Sequence, residues 1–267
     1  MSEYVLGTSD HELARLGLQQ EVWCGFTRRV LDAAPLPPGA RVLDAGCGPG
    51  FVTADLRARV GAAGSVVALD ESPRWIDHVR GRAQREGWTN VELLQGRVET
   101  VALPPASFDL VFLRWVLAFL PDRLAVLKRL SAALKPGGAC VVMDYNHEGI
   151  SIFPESAGFS AAVRAIRAAY AAHGGDTWLM GRIHGLFRAA GLVPRSFEPH
   201  VIAGGPGSPA HRWLDAFFPF HSALWVEHGQ MTAPERELFL REWDERARDP
   251  DAQFFSPIVV GASAVKP

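Results

Sequence analysis

Apolar residues near the start of the chain recur at helical spacing: Leu13, Leu16, Trp23, Phe26 and Val30. This period predicts a helix over residues 8–34 with one buried face. Ser9 followed by Glu12 is a capping-box pattern, in which each side chain satisfies an orphan backbone N–H at the helix start, and Pro35, Pro37 and Pro38 end the helix. The pattern then changes to short apolar runs separated by helical stretches. Strands are predicted at Arg41–Ala45, Ser65–Asp70, Val91–Gln95, 108–113 and 139–145. A helix begins near residue 51. Another starts at Ser72, a capping residue, with Pro73 in its first turn, and shows Ile76, Val79 and Ala83 on one face. A third, over 122–134, turns Leu124, Leu127, Leu130 and Leu134 inward and is stopped by Lys135-Pro136-Gly137-Gly138. Such alternation predicts an α/β fold with a parallel sheet covered by helices on both faces.

Beyond residue 146 the strands give way to helical periodicity at Phe159, Val163, Ile166 and Tyr170, and again at Ile183, Leu186, Phe187 and Ala190. A sixth strand over 192–203 contains Pro194 and Pro199, so it belongs at a sheet edge or is interrupted. Residues 208–248 read as helix broken near Pro219 and Gly229, with a second capping box at Thr232 and Glu235. A seventh strand over 254–265 closes the map. No repeat or low-complexity run is present. The expected organisation is a single domain: a helical cap over 1–34, a core over 35–145, helical lid insertions over 146–190 and 205–252, and late strands over 192–203 and 254–265.

Composition narrows the classes. Lys plus Arg number 27 against 29 Asp plus Glu, a formal net charge of −2, which gives no field for a phosphate backbone and argues against a nucleic-acid partner. The most apolar stretch, 108–120, is too short to span a bilayer and carries Asp109 and Arg114. Cys24, Cys47 and Cys140 match neither a disulfide framework nor a metal site. Residues 1–4 lack the features of a signal peptide. The expectation is a cytoplasmic protein without a metal and without a membrane partner.

The chemistry concentrates after the first strand, in Asp44-Ala45-Gly46-Cys47-Gly48-Pro49-Gly50. Glycines at a strand's carboxyl end let backbone approach a ligand. Dinucleotide sites use G-x-G-x-x-G; here the spacing is G-x-G-x-G, and a carboxylate at Asp44 would repel a pyrophosphate but suits a cationic ligand. Asp70, 20 residues after Gly50, ends the second strand, where a carboxylate accepts two ribose hydroxyls or merely favours a helix start.

With these residues the chain resembles the class I S-adenosylmethionine-dependent methyltransferases. The likeness runs through Val42-Leu-Asp-Ala-Gly-Cys-Gly-Pro-Gly50, Val67-Ala-Leu-Asp70, Ser107-Phe-Asp-Leu-Val111, the segment from Leu113 to Asp122, and Leu134-Lys-Pro-Gly-Gly138. It is close over about residues 35–145. It implies a Rossmann-like seven-stranded sheet whose last strand is antiparallel and lies beside the fifth, leaving strand six at the edge. It also implies S-adenosylmethionine as cofactor. The turn from Asp44 through Gly46, Cys47, Gly48 and Gly50 would face its methionine part, Asp70 its ribose, and Glu71 its adenosine. Val98 would offer backbone near the adenine. Arg97 stands where many relatives carry an acid, and either stacks on the ring or points to solvent. Arg114 would meet the cofactor or close the pocket, unless it pairs with Asp122 or Asp144 at the surface. Tyr4 would close over the cofactor from the N-terminal side.

A sulfonium methyl is already electrophilic, so the protein must align a nucleophile and exclude water. The fifth strand ends in the polar run from Met143 to Glu148, where His147 is the first choice for a general base because an ordinary imidazole titrates near neutrality, with Tyr145 beside it. The segment after strand four, Leu113-Arg114-Trp115, lacks the aromatic dipeptide after prolines that DNA amino-methyltransferases carry. Six of the eight Trp fall in the lid, the first helix or the strand-four exit. Trp178, Trp213, Phe217, Phe218, Phe220 and Trp225 suggest an apolar or aromatic small-molecule acceptor, methylated at O, N or C, or else simple lid packing. A monomer or homodimer is expected. A nicotinamide dehydrogenase and a non-methylating binder of the same cofactor stay open as alternatives.

Overall fold

A computed structural model describes residues 9–267. Helix α1 (Asp10–Asp32) starts at Ser9, whose hydroxyl accepts from the Glu12 N–H. The predicted reciprocal bond is not made: the Glu12 carboxylate takes the Arg15 guanidinium in two bonds of 2.7 Å instead. Strand β1 (Arg41–Ala45), helix α2 (Phe51–Val60), strand β2 (Ser65–Asp70), helix α3 (Pro73–Glu86) and strand β3 (Val91–Gln95) follow the sequence expectation closely. Strand β4 (Phe108–Arg114) and helix α4 (Arg123–Ala133) come next, the latter capped by Asp122. Strand β5 (Leu134–Asn146) begins earlier than predicted. The Lys135–Gly138 turn is taken into it as an irregularity, because the β4–β5 register shifts between the Phe108–Leu134 and Leu110–Ala139 pairs.

The second half holds β6 (Ser151–Phe153), α5 (Ala157–Ala172), α6 (Ile183–Ala189), β7 (Val193–His200), β8 (Ala203–Gly204), α7 (Pro209–Asp215), α8 (Phe218–Glu227), α9 (Ala233–Arg248), β9 (Gln253–Phe255) and β10 (Ile258–Val265). The break predicted near Pro219 falls just before it, at Ala216–Phe217, because proline fits the first turn of α8. The Thr232–Glu235 box forms in full. The single last strand predicted over 254–265 is two, parted at Ser256–Pro257. Its first part joins a three-stranded sheet, in order β6-β9-β8, that the sequence pattern did not reveal.

The main sheet has seven strands in the order β3-β2-β1-β4-β5-β10-β7. The first five are parallel; β10 runs antiparallel to both β5 and β7. This is the Rossmann-like arrangement expected, with β7 at the edge, where Pro194 and Pro199 are tolerated. Leu43, Leu69, Leu110, Phe112 and Leu113 are fully buried in the central strands. Strand β1, the first to end in a glycine turn, sits in the middle of the sheet, beside the point where the strand order reverses. Ligands of open α/β sheets bind outside the strand ends at such a point. Among the described residues no helix is long and apolar enough to cross a membrane.

Candidate functional site

A cavity of about 330 Å³ opens at the carboxyl ends of β1, β2, β4 and β5. Its floor is the glycine turn. Gly46 and Gly50 both have φ of +77°, and a Cβ on Gly46 would lie 2.4 Å from Val116 Cγ2. A Cβ on Gly48 would instead meet open space. The turn therefore leaves its cavity side free of side chains over Gly48, where a ligand's backbone-sized groups can settle. The N–H groups of Gly46 and Cys47 both donate to Leu69 O, at 2.8 and 2.9 Å, which locks the turn onto β2.

Two carboxylates flank this floor. Asp44 is buried, accepts from Thr53 Oγ1 at 2.6 Å, and is pushed up to about 6 by burial, partly opposed by Thr53 and Arg114. Asp70 accepts from the Gly48 N–H and the Ser72 N–H, each at 2.9 Å, and burial raises its pKa. Each Asp70 oxygen thus keeps a further lone pair for a ligand hydroxyl. Burial also raises the Cys47 thiol, with Asp44 and Asp70 adding to the shift, so it is no thiolate nucleophile.

Glu71, Val98 and Arg97 line the cavity past Asp70. Arg97 is half-exposed and paired with Glu99 at 2.6 Å and Glu71 at 3.7 Å. Arg114 is half-buried and lines the cavity beside the turn. Its Nη1 donates to Thr27 Oγ1 at 3.0 Å, and burial pulls its pKa down to about 10. The surface pair with Asp122 or Asp144 is not formed. Asp122 caps α4, and Asp144 accepts from the Ala118 and Tyr145 N–H groups, fastening the β4 exit to β5. Tyr4 lies outside the described residues.

The opposite wall is aromatic. Tyr145 stacks on Trp115 at 5.8 Å and meets His147 edge-on at 5.2 Å; Trp213, Phe217, Phe218 and Tyr170 complete the wall. His147 is where the sequence placed it, but its expected near-neutral titration is corrected. Burial, aided by the Arg167 charge, lowers its pKa to about 3, so it is a neutral imidazole across the neutral range and a weak base. Among the expected lid aromatics, Trp213, Phe217 and Phe218 reach the cavity. Phe220 instead stacks on His11 at 3.9 Å on the surface, Trp178 faces outward with its indole N–H on Glu148, and Trp225 packs behind Phe217 and Phe218.

The sequence predicts the N-terminal helical cap, but not which residues of α1 reach the cavity. Arg15, Leu16 and Gln19 line the cavity. Arg15 donates to Glu12 and, at 3.1 Å, to Gln19, while the Trp213 indole N–H also donates to Gln19 at 3.3 Å. Helix α1 and helix α7 are thereby latched together over the site. The signal was present in the sequence: Arg15 and Gln19 are polar residues on the helix stripe that carries Leu16, Trp23 and Phe26.

A family model described as a methyltransferase domain matches residues 36–178. The demethylmenaquinone methyltransferase of Lactococcus lactis subsp. lactis (strain IL1403) is 33% identical over 139 residues, 52% of this chain and 54% of the relative. The aklanonic acid methyltransferase DauC of Streptomyces sp. (strain C5) is 36% identical over 124 residues, 46% of this chain and 56% of the relative. The match spans about half the length of these curated relatives. In fold, a crystal structure from Bacillus halodurans C-125, named as a candidate methyltransferase, aligns with a TM-score of 0.63 at 17% identity, over 90% of this chain and 98% of that one.

Proposed function

This chain belongs to the methyltransferase-domain family, in its class I S-adenosylmethionine-dependent fold, and from that premise we propose that it methylates a small, flat, largely apolar metabolite. The observation that carries the reading is that one cavity joins the glycine turn and Asp70 on one side to the aromatic wall of Trp115, Tyr145, Trp213 and Phe217 on the other. S-adenosylmethionine, when bound, supplies an electrophilic sulfonium methyl. The residues of this chain fit it: a side-chain-free surface at Gly48, a carboxylate at Asp70 with lone pairs for a diol, and Asp44 for a cationic neighbour. Glu71 and Val98 border the adenosine end, and Arg97 orders that rim through Glu71 and Glu99. Arg114, on the cavity lining, is held by its bond to Thr27 and borders the floor.

On the acceptor side the walls orient a ring and exclude water, which is most of what an in-line displacement asks of a protein. His147 and Tyr145 border the place where the nucleophile must lie. With a pKa near 3, His147 serves as a neutral hydrogen-bonding partner and not as a strong base. Names of the two curated relatives, demethylmenaquinone and aklanonic acid methyltransferases, suit an oxygenated ring as acceptor. The reading includes a single unit with the α1 cap and the helices between β5 and β10 as lid, acting in the cytoplasm.

The test is incubation of the purified protein with methyl-labelled S-adenosylmethionine and a metabolite extract, followed by mass spectrometry. Label in a small organic product supports the reading. Tight NADH binding without S-adenosylmethionine binding would sink it in favour of a dehydrogenase.

A further inference from the structure

Gln19 sits on the inner stripe of α1, borders the cavity and is 4% exposed. Its amide oxygen accepts from Arg15 Nη1 at 3.1 Å and from the Trp213 indole N–H at 3.3 Å. A guanidinium and an indole only donate, so these two bonds fix which end of the carboxamide is oxygen and which is nitrogen. Both donors are themselves held. Arg15 is fastened by Glu12 in two bonds of 2.7 Å and lies over the Phe217 ring at 5.6 Å; Trp213 meets the Trp23 ring edge-on at 5.2 Å. The Gln19 amide nitrogen, at the other end, has no hydrogen-bond partner among the described residues. It is not sealed in protein as the unpartnered Trp23 Nε1 is, so it keeps accessible surface, and the space its side chain borders is the cavity. Buried polar side chains are nearly always satisfied, so what the cavity holds completes this amide. Trp213 lies 6.4 Å from Tyr145, which puts the amide at the aromatic wall.

We propose that Gln19 is a specificity residue for the methyl acceptor, donating its amide N–H to a carbonyl oxygen on an otherwise apolar molecule. The proposal rests on the methyl-transfer reading of the same cavity. An amide N–H needs a lone pair opposite it, which a bare hydrocarbon or an ammonium does not offer. The Arg15 charge beside it is already matched by the Glu12 carboxylate, and both side chains are buried. No spare positive charge is left there for a carboxylate, so an uncharged carbonyl is the fitting class. The two donors on the Gln19 oxygen also polarise the amide and strengthen its N–H as a donor. Because the amide is fixed on a helix, the carbonyl it holds sets how the acceptor ring lies along the aromatic wall.

The experiment loads the protein with S-adenosylhomocysteine and titrates indane and 1-indanone by calorimetry, two molecules of like shape that differ in one carbonyl. The readout is the ratio of the two affinities, because a variant that merely loosens the wall weakens both. Gln19→Met fills similar space and cannot donate. Gln19→Glu keeps oxygens for Arg15 and Trp213 and loses the N–H groups. In each, 1-indanone is expected to weaken at least about fivefold, the size of one neutral hydrogen bond, while indane stays within about twofold. The proposal is overturned if the ratio stays put in the variants, if both probes weaken together, or if neither probe binds the loaded protein. Failure of S-adenosylhomocysteine to bind the parent protein overturns the methyl-transfer reading instead, and the proposal with it. Loss of S-adenosylhomocysteine from a variant whose circular dichroism is unchanged assigns Gln19 to the cofactor and overturns the acceptor role. Should Gln19→Met fail to fold, Gln19→Glu, the closer in shape, decides alone.

Discussion

The Asp70 carboxylate accepts the Gly48 N–H at 2.9 Å, so the acid at the end of β2 also holds the glycine turn at the end of β1 in place. One group shapes the floor of the cavity and offers lone pairs into it. Asp70→Ala should therefore weaken S-adenosylmethionine binding by at least about 1.5 kcal/mol, the size of a lost charged hydrogen bond, or about tenfold. Asp70→Asn should fall between, because its amide retains one accepting oxygen. Calorimetric titration measures both, and an unchanged affinity for the alanine variant removes Asp70 from the site.

At Gly46 the backbone φ of +77° and the 2.4 Å approach of a Cβ to Val116 act together. Gly46→Ala should lower stability by roughly 2–4 kcal/mol, combining left-handed strain with overpacking. Adding Val116→Ala should return the overpacking part and leave the backbone part. Chemical denaturation of the single and double variants separates them; equal midpoints for the two would show that Val116 is not the obstacle.

His147 gives the protein an acid-sensitive component. Its folded pKa of about 3 lies below the unfolded value of 6.5, so its contribution is present above pH 6.5 and is lost as pH falls towards 3. The full span corresponds to about 5 kcal/mol. His147→Phe should unfold at a lower pH than the parent in an acid titration followed by circular dichroism. Asp44 works in the opposite sense: its raised pKa makes its contribution complete below 3.8 and lost as pH rises through about 6. An acid midpoint that does not move in His147→Phe would mean that the imidazole is hydrated in the native protein.

Much of this is visible in the sequence because it depends on local grammar. The glycine turn, Asp70 and the proline-bearing edge strand β7 follow from spacing and from what proline and glycine permit. What escaped it depends on side chains from distant segments meeting. Whether Trp213 or Phe220 faces the cavity is decided by the rotation of α7 and α8 about their axes, and both residues are aromatic neighbours in one helical stretch. The same holds for Glu12, whose carboxylate serves the buried Arg15 rather than the helix end, and for His147, whose burial removes the near-neutral titration that its residue type alone suggests. The β6-β9-β8 sheet is too short for any periodicity to show.

The antiparallel strand β10, set between β5 and β7, has a consequence for the order of assembly. Asn146 finds its pairing partner only at Ile258, and every later pair on that ladder is more distant still along the chain. Such non-local pairing closes slowly. As the chain leaves the ribosome, β1 to β5 can associate while the flank of β5 stands open, a row of unsatisfied backbone groups that invites another chain. Until β10 arrives, the nascent protein is most exposed to mispairing along that one strand.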